Sequence, residues 1–301
     1  MRPSAAVLAR LQRLHDTAFL TSATPDEALQ WYQWAQALPA SVTRGSFLSL
    51  TGFTLDGTHP VLESLMLAFN SEGAAFMLKI VKSRGEQEVE AAAALFDAPH
   101  VVPAQFAEAS RHDGNLFCGL LMPKYERSLE ASDLRLSPSV LFRRAIDTVE
   151  ALNAIHERGW VHMDVKEANI FGAIITVWFL FLFTISIYAL LSFAVDFAGQ
   201  WWIGDFGSCV RHGAAIVSTT ISCHPDGLRL LGAPARWEYD WYMLVVTILH
   251  QLDRSFSPDN GGSGAPFDAA VRHQCDAIAE PSLRILLINM LDCREPVFKL
   301  P

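Results

Sequence analysis

The chain has 301 residues, enough for one large domain or two lobes sharing a cleft, and a formal charge of -9. No run rich in Lys and Arg stands out, which argues against a nucleic-acid-binding surface. Five cysteines (Cys118, Cys209, Cys223, Cys275 and Cys293) are scattered without a C-x-x-C pair, as free thiols in a reducing compartment would be. Arg2 is not followed by a continuous apolar core, so the N-terminus does not read as a signal peptide, and no internal repeat is present.

Residues 1–45 read as helical. Thr24-Pro25-Asp26-Glu27 combines a capping residue, a first-turn proline and an acidic third position, and Trp31 and Trp34 follow on one face to pack against the lobe behind them. Strands are expected over 47–55, 61–69 and 74–81, with a hairpin turn at Asn70-Ser71-Glu72-Gly73. The alanine-rich 86–95 segment has high helix propensity. A long helix follows over 138–159, in which Phe142, Ile146, Val149, Leu152 and Ile155 recur as an apolar stripe and Gly159 is the stop. The run from Asp240 to Leu249 reads as a helix buried in the core, and 258–266, with four glycines, as a surface loop.

Two strings carry chemistry. His162-Met163-Asp164-Val165-Lys166-Glu167-Ala168-Asn169 and Asp205-Phe206-Gly207 resemble the catalytic loop H-R-D-x-K-x-x-N and the D-F-G motif of the eukaryotic protein kinase family. Phosphoryl transfer needs charge neutralised on the nucleotide and an acceptor hydroxyl aimed in line. The resemblance implies that Asp164 orients that hydroxyl and takes its proton, that Lys166 sits near the transferred group, and that Asn169 and Asp205 hold Mg²⁺. His156-Glu157-Arg158-Gly159-Trp160-Val161-His162 matches the family's lead-in, with His162 as a structural residue rather than a base.

Other segments are similar to the same family. Ala75-Phe76-Met77-Leu78-Lys79-Ile80 resembles the V-A-I-K strand, which implies that Lys79 reaches the ATP phosphates and pairs with a glutamate on the next helix. Glu88 is the chosen partner, with Glu86 and Glu90 as neighbouring alternatives. Pro99-His100-Val101-Val102-Pro103 resembles the H-P-N-I-V segment. Leu120-Leu121-Met122-Pro123-Lys124-Tyr125 resembles the hinge, where backbone groups from Met122 to Lys124 would bond the adenine. Asp240 would accept hydrogen bonds from the catalytic-loop backbone, and Asp226, in His224-Pro225-Asp226, would pair with Arg294.

The chain departs from the family in three places. The G-x-G-x-x-G turn is replaced by Leu55-Asp56-Gly57-Thr58-His59-Pro60, and Met163 stands where an arginine would receive a phosphorylated segment, which implies a site independent of that phosphate. Third, an apolar insertion over 172–194 separates Asn169 from Asp205. By length and hydropathy 174–194 is a candidate transmembrane helix, yet a span inside the catalytic core would pull the lobe apart and keep Asn169 and Asp205 from sharing a metal. Without the 23 residues 172–194 the join from Asn169 to Asp205 resembles the family's short hairpin, and the corresponding 69 bases keep the frame, as a retained intron beginning GT and ending AG would.

The resemblance implies an α+β fold of two lobes: a helical extension over 1–45, a small β-rich lobe and hinge over 46–125, and a larger helical lobe over 126–301 interrupted at 172–194. It implies an intracellular, cytoplasmic or nuclear, ATP- and Mg²⁺-dependent protein kinase, with Lys166 favouring Ser/Thr substrates and no nucleic-acid partner. Alternatives are a nucleotide-binding scaffold without turnover, a small-molecule phosphotransferase of the same fold, and a kinase anchored by a single membrane pass through 174–194.

Overall fold

The structure, a computed structural model, describes residues 54–58, 65–69, 75–82, 86–112, 115–125, 127–130, 136–172, 200–220, 224–256 and 265–300. The expected 1–45 extension, the turn at 70–73 and the stretch 174–194 lie outside them. Among the described residues no helix is long and apolar enough to cross a membrane.

The small lobe is one antiparallel sheet of β1 (Thr54–Thr58), β2 (Leu65–Phe69), β3 (Ala75–Lys82), β4 (Gln105–His112) and β5 (Asn115–Pro123), in the order β1-β2-β3-β5-β4. β3 is paired on both edges, which suits a nearly unbroken apolar run whose internal charge is Lys79. Leu55 to Thr58, expected to open a turn, belong instead to β1 and pair with β2, with an irregularity between Asp56 and Thr58 where Gly57 falls out of register. Helix α1 (Glu86–Leu95) follows β3, and its small side chains let it lie close to its neighbours, with Val89, Ala91, Ala92 and Leu95 buried.

The large lobe is helical: α2 (Pro138–Glu157), α3 (Trp237–Leu252), α4 (Ala265–Asp276) and α5 (Pro281–Asp292). Ser137 caps α2, accepting from the Val140 N–H at 3.4 Å, and Pro138 fills the first turn, where a missing N–H costs nothing. The helix ends as expected at Gly159, whose φ of +79° turns the chain back. Its buried face is Leu141, Ala145, Val149, Leu152 and Ile155. The first half of the expected stripe is therefore displaced by one residue: Leu141 and Ala145 enter the core, while Phe142 and Ile146 flank it, half-buried. Leu152→Ala in this seam would cost about 2–5 kcal/mol. α3 is buried almost throughout, from Asp240 to Leu249, between α2 and α5.

Short strands shape the surface that faces the small lobe. β6 (Arg127–Ser128), β8 (Ile170–Gly172) and β9 (Trp201–Ile203) form one sheet, and β7 (Trp160–Val161) pairs with β10 (Val210–Arg211). β8 and β9 pair directly, Ile170 with Ile203, Phe171 with Trp202 and Gly172 with Trp201. The strands that flank the insertion are therefore joined in one ladder, and 173–199 themselves lie outside the described residues. The chain leaves and re-enters at the tip of a hairpin, where added length raises the closure cost only logarithmically.

Candidate active site

Lys79, Glu88, Asp164, Lys166, Asn169 and Asp205 fall into two clusters linked through the β8–β9 hairpin. The first lies between β3, α1 and the turn after β9. The Lys79 Nζ, donated from the centre of β3, bonds Glu88 Oε1 at 2.5 Å and Asp205 Oδ1 at 2.6 Å. Glu88 is thus the α1 carboxylate that meets Lys79, and Glu90 points to another partner, Arg211. Burial by itself would lower the Lys79 pKa, but the two carboxylates outweigh it and hold the ammonium above its usual range. Burial likewise works to raise Asp205, and here Lys79, the Gly207 N–H and His162 prevail, so its carboxyl sits below its usual range. Glu88 moves the other way, because burial outweighs Lys79.

Asp205 adopts a left-handed backbone, φ 63°, which lets Oδ1 accept the Gly207 N–H at 3.2 Å. Gly207 sits in close approach: a Cβ there would lie 3.2 Å from Asp205 Oδ1, so that carboxylate would have to give by a few tenths of an ångström.

The second cluster is the loop between β7 and β8. Asn169 Nδ2 donates to the Asp164 carbonyl at 2.9 Å and to Asp164 Oδ2 at 2.8 Å. Lys166 Nζ lies 3.0 Å from the same Oδ2. The Thr220 hydroxyl donates to Asp164 Oδ1, and Thr219 Oγ1 donates to the Met163 carbonyl at 2.6 Å. His162 accepts the Asp164 N–H at Nδ1, 3.3 Å, which leaves Nε2 to donate to the Gly204 carbonyl at 3.1 Å. Both ring nitrogens are thereby occupied, as a structural histidine requires and a base does not. The Gly204 N–H donates to the Asn169 carbonyl at 2.9 Å, so the loop carrying Asn169 is joined to the residue before Asp205.

Asp240, fully buried on α3, holds that loop from beneath. Its oxygens accept the His162 N–H at 2.7 Å and the Met163 N–H at 2.8 Å, and His156 Nε2 lies 2.8 Å from Oδ2.

No family model matches the sequence, and no curated protein does. Among solved structures, the chain is similar to the kinase PK-1 of Cydia pomonella granulovirus, with a TM-score of 0.59 and 16% identity over 81% of this chain and 89% of that one. It is also similar to vaccinia related kinase 3, with a TM-score of 0.55 and 16% identity over 91% of each chain. The fold is protein-kinase-like.

Among the described residues, the end of β5 is paired on one side. β5 loses its β4 partner after Leu121, so Met122 and Pro123 are paired only with β3, and Lys124 lies just beyond, exposed. Pro123 has no N–H, so the donors in this stretch are those of Met122 and Lys124. Tyr125 then packs near Phe171 and Trp202, with ring centroids 5.7 and 6.2 Å away, tying the hinge to the β8–β9 hairpin.

Arg294 does not pair with Asp226. It donates to the carbonyls of Leu291, 3.0 Å, and Cys293, 2.9 Å, satisfying the end of α5, while the Asp226 N–H is taken by His224 Nδ1 at 3.1 Å. Thr219, Thr220 and Arg211 were not singled out by sequence. Each acts on a partner more than fifty positions away, and no local pattern marks it.

The donor chemistry fits Mg²⁺. Asn169 commits its amide nitrogen to Asp164, leaving the amide oxygen, and Asp205 engages Lys79 through Oδ1. One amide oxygen and one carboxylate are few and hard donors, the set that suits an ion carrying much of its shell on phosphates and water.

Proposed function

We propose that this chain is a protein kinase that transfers the γ-phosphate of ATP to serine or threonine hydroxyls of a protein substrate. The observation that carries this reading is the convergence of Lys79, Glu88 and Asp205 with the Asp164–Lys166–Asn169 loop across one hairpin. Lys79, fixed by Glu88, would bind nucleotide phosphates. Asp164 would orient the acceptor hydroxyl and take its proton, with Lys166 balancing charge beside it. Asn169 and Asp205 would hold Mg²⁺, which supplies charge neutralisation on the ATP phosphates when bound. Met122 and Lys124 would offer backbone groups to the adenine. Lys166, two residues from Asp164, supports Ser/Thr rather than Tyr acceptors.

The test is transfer from radiolabelled ATP and Mg²⁺ to a generic acceptor such as dephosphorylated casein. Asp164→Ala should lower transfer by about 10²–10⁴-fold while Mg·ATP still raises Tm. Wild-type protein that binds Mg·ATP and transfers nothing would favour the second reading, a nucleotide-binding scaffold. The feature behind that alternative is the commitment of Leu55 to Thr58 to a strand ladder where the family has its glycine turn.

An intracellular setting goes with this function, as do the free thiols of Cys209, Cys275 and Cys293. The hairpin weighs against a single membrane pass through 174–194. A crossing leaves its ends about 30 Å apart across the hydrocarbon, whereas Gly172 and Trp201 face each other in one ladder.

A further inference from the structure

We propose that Arg211 is a positioning residue that fixes helix α1, and with it the Lys79–Glu88 pair, against the large lobe; this rests on the kinase reading only for its effect on turnover. The Arg211 guanidinium touches three elements at once. Nη2 bonds Glu90 Oε1 on α1 at 2.5 Å, Nη1 donates to the Arg158 carbonyl at 3.3 Å, and the planar group lies 4.0 Å over the Trp160 ring. Arg158 takes hold of the other end of the same helix. Its Nη1 donates to the Ala94 carbonyl at 2.7 Å and to Asp97 Oδ1 at 2.6 Å.

The pair with Glu90 is half-exposed, and an isolated surface ion pair contributes little. Its setting changes that. Trp160 is almost fully buried, and with Arg158 it presets the guanidinium, so little side-chain freedom remains to be lost when Glu90 binds. Geometry supplies the rest. Glu90 and Glu88 are two residues apart and project from different sides of α1, one to Arg211 and one to Lys79. Rotation or withdrawal of the helix therefore breaks both contacts together. Arg211 also lies on β10, close after the Asp205–Gly207 turn, so the same side chain couples the position of that turn to the position of α1. None of these partners is a phosphate.

Hydrogen exchange of the α1 amides in wild type, Arg211→Ala and Arg211→Lys, with Tm as the control for folding, reads the grip without any need for activity. Arg211→Ala should speed exchange over 86–95 by about tenfold, a local opening, with Tm changed by only a few degrees. Arg211→Lys keeps the charge without the planar stack and should fall between. Unchanged α1 exchange in both variants overturns the proposal. The kinetic arm uses Mg·ATP turnover. Arg211→Ala and Glu90→Ala should each lower kcat by about tenfold with KM for ATP less affected, and the double variant should be no worse than either. A double variant that multiplies the two losses shows separate actions and also overturns it. Wild type without turnover would count against the kinase reading alone, because the exchange arm would still decide the role of Arg211.

Discussion

Met163 donates its backbone N–H to Oδ1 of Asp240 across 2.8 Å, at a position where the Met163 φ is +63° and its side chain is wholly buried. The loop that carries Asp164 is therefore held from the core by a charge that also accepts from the His162 N–H. Asp240→Asn keeps the shape and leaves a single accepting oxygen where two served. It should destabilise the fold by about 2–4 kcal/mol, read as a lower denaturant midpoint. Unchanged stability would mean the clamp contributes nothing.

Met163→Arg tests the opposite intuition, that restoring the family arginine improves the site. The side chain here is wholly buried and Asp240 is already engaged by two backbone N–H groups and His156, so a guanidinium in its place would be taken out of water without a free carboxylate to receive it. The expected outcome is a loss of several kcal/mol and poor solubility. A variant of wild-type Tm whose turnover responds to phosphorylation would show that Met163 is a mere replacement.

Asp164, Lys166, Asn169 and Asp205 were legible because each lies in a short string whose internal spacing is the signal, and the long helix was legible because Ser137-Pro138 and Gly159 mark its ends. Glu88 was separated from Glu90 only by three-dimensional placement, since helical periodicity alone does not say which face meets β3. Leu141 against Phe142 was decided in the same way, both being apolar. Contacts across the fold, such as Thr220 with Asp164 or Arg211 with Glu90, leave no local trace. Hydropathy measures the stretch itself and says nothing of the strands that meet at Gly172 and Trp201.

His224 predicts an acid weakness beside helix α3. Burial lowers its pKa to about 4 from 6.5, only partly opposed by Asp226, Glu238 and Asp268. Its Nδ1 accepts the Asp226 N–H at 3.1 Å, and the rings of Tyr239 and Tyr242 lie against it. Between pH 6.5 and about 4 the unfolded chain binds this proton and the folded chain does not. Stability therefore falls as pH falls through that window, by up to about 3 kcal/mol at its lower end. His224→Gln should lose less Tm than wild type between pH 7 and pH 5. Equal losses would assign the acid sensitivity to other groups.

Removal of 172–194 is the most informative deletion. Val195 would then follow Phe171 and take the place of Gly172 opposite Trp201, with 196–200, Asp-Phe-Ala-Gly-Gln, left as a five-residue hairpin connection of a common length. Shortening the connection from 173–200 to 196–200, roughly fivefold, should favour folding by about 1.5 kcal/mol through loop closure. The apolar run 174–194 goes with it, so the deletion variant should be more soluble and at least as stable. An unfolded deletion variant beside a folded full-length protein would mean that the insertion packs as part of the domain. A transcript without those 69 bases would identify the shortened chain as the natural one.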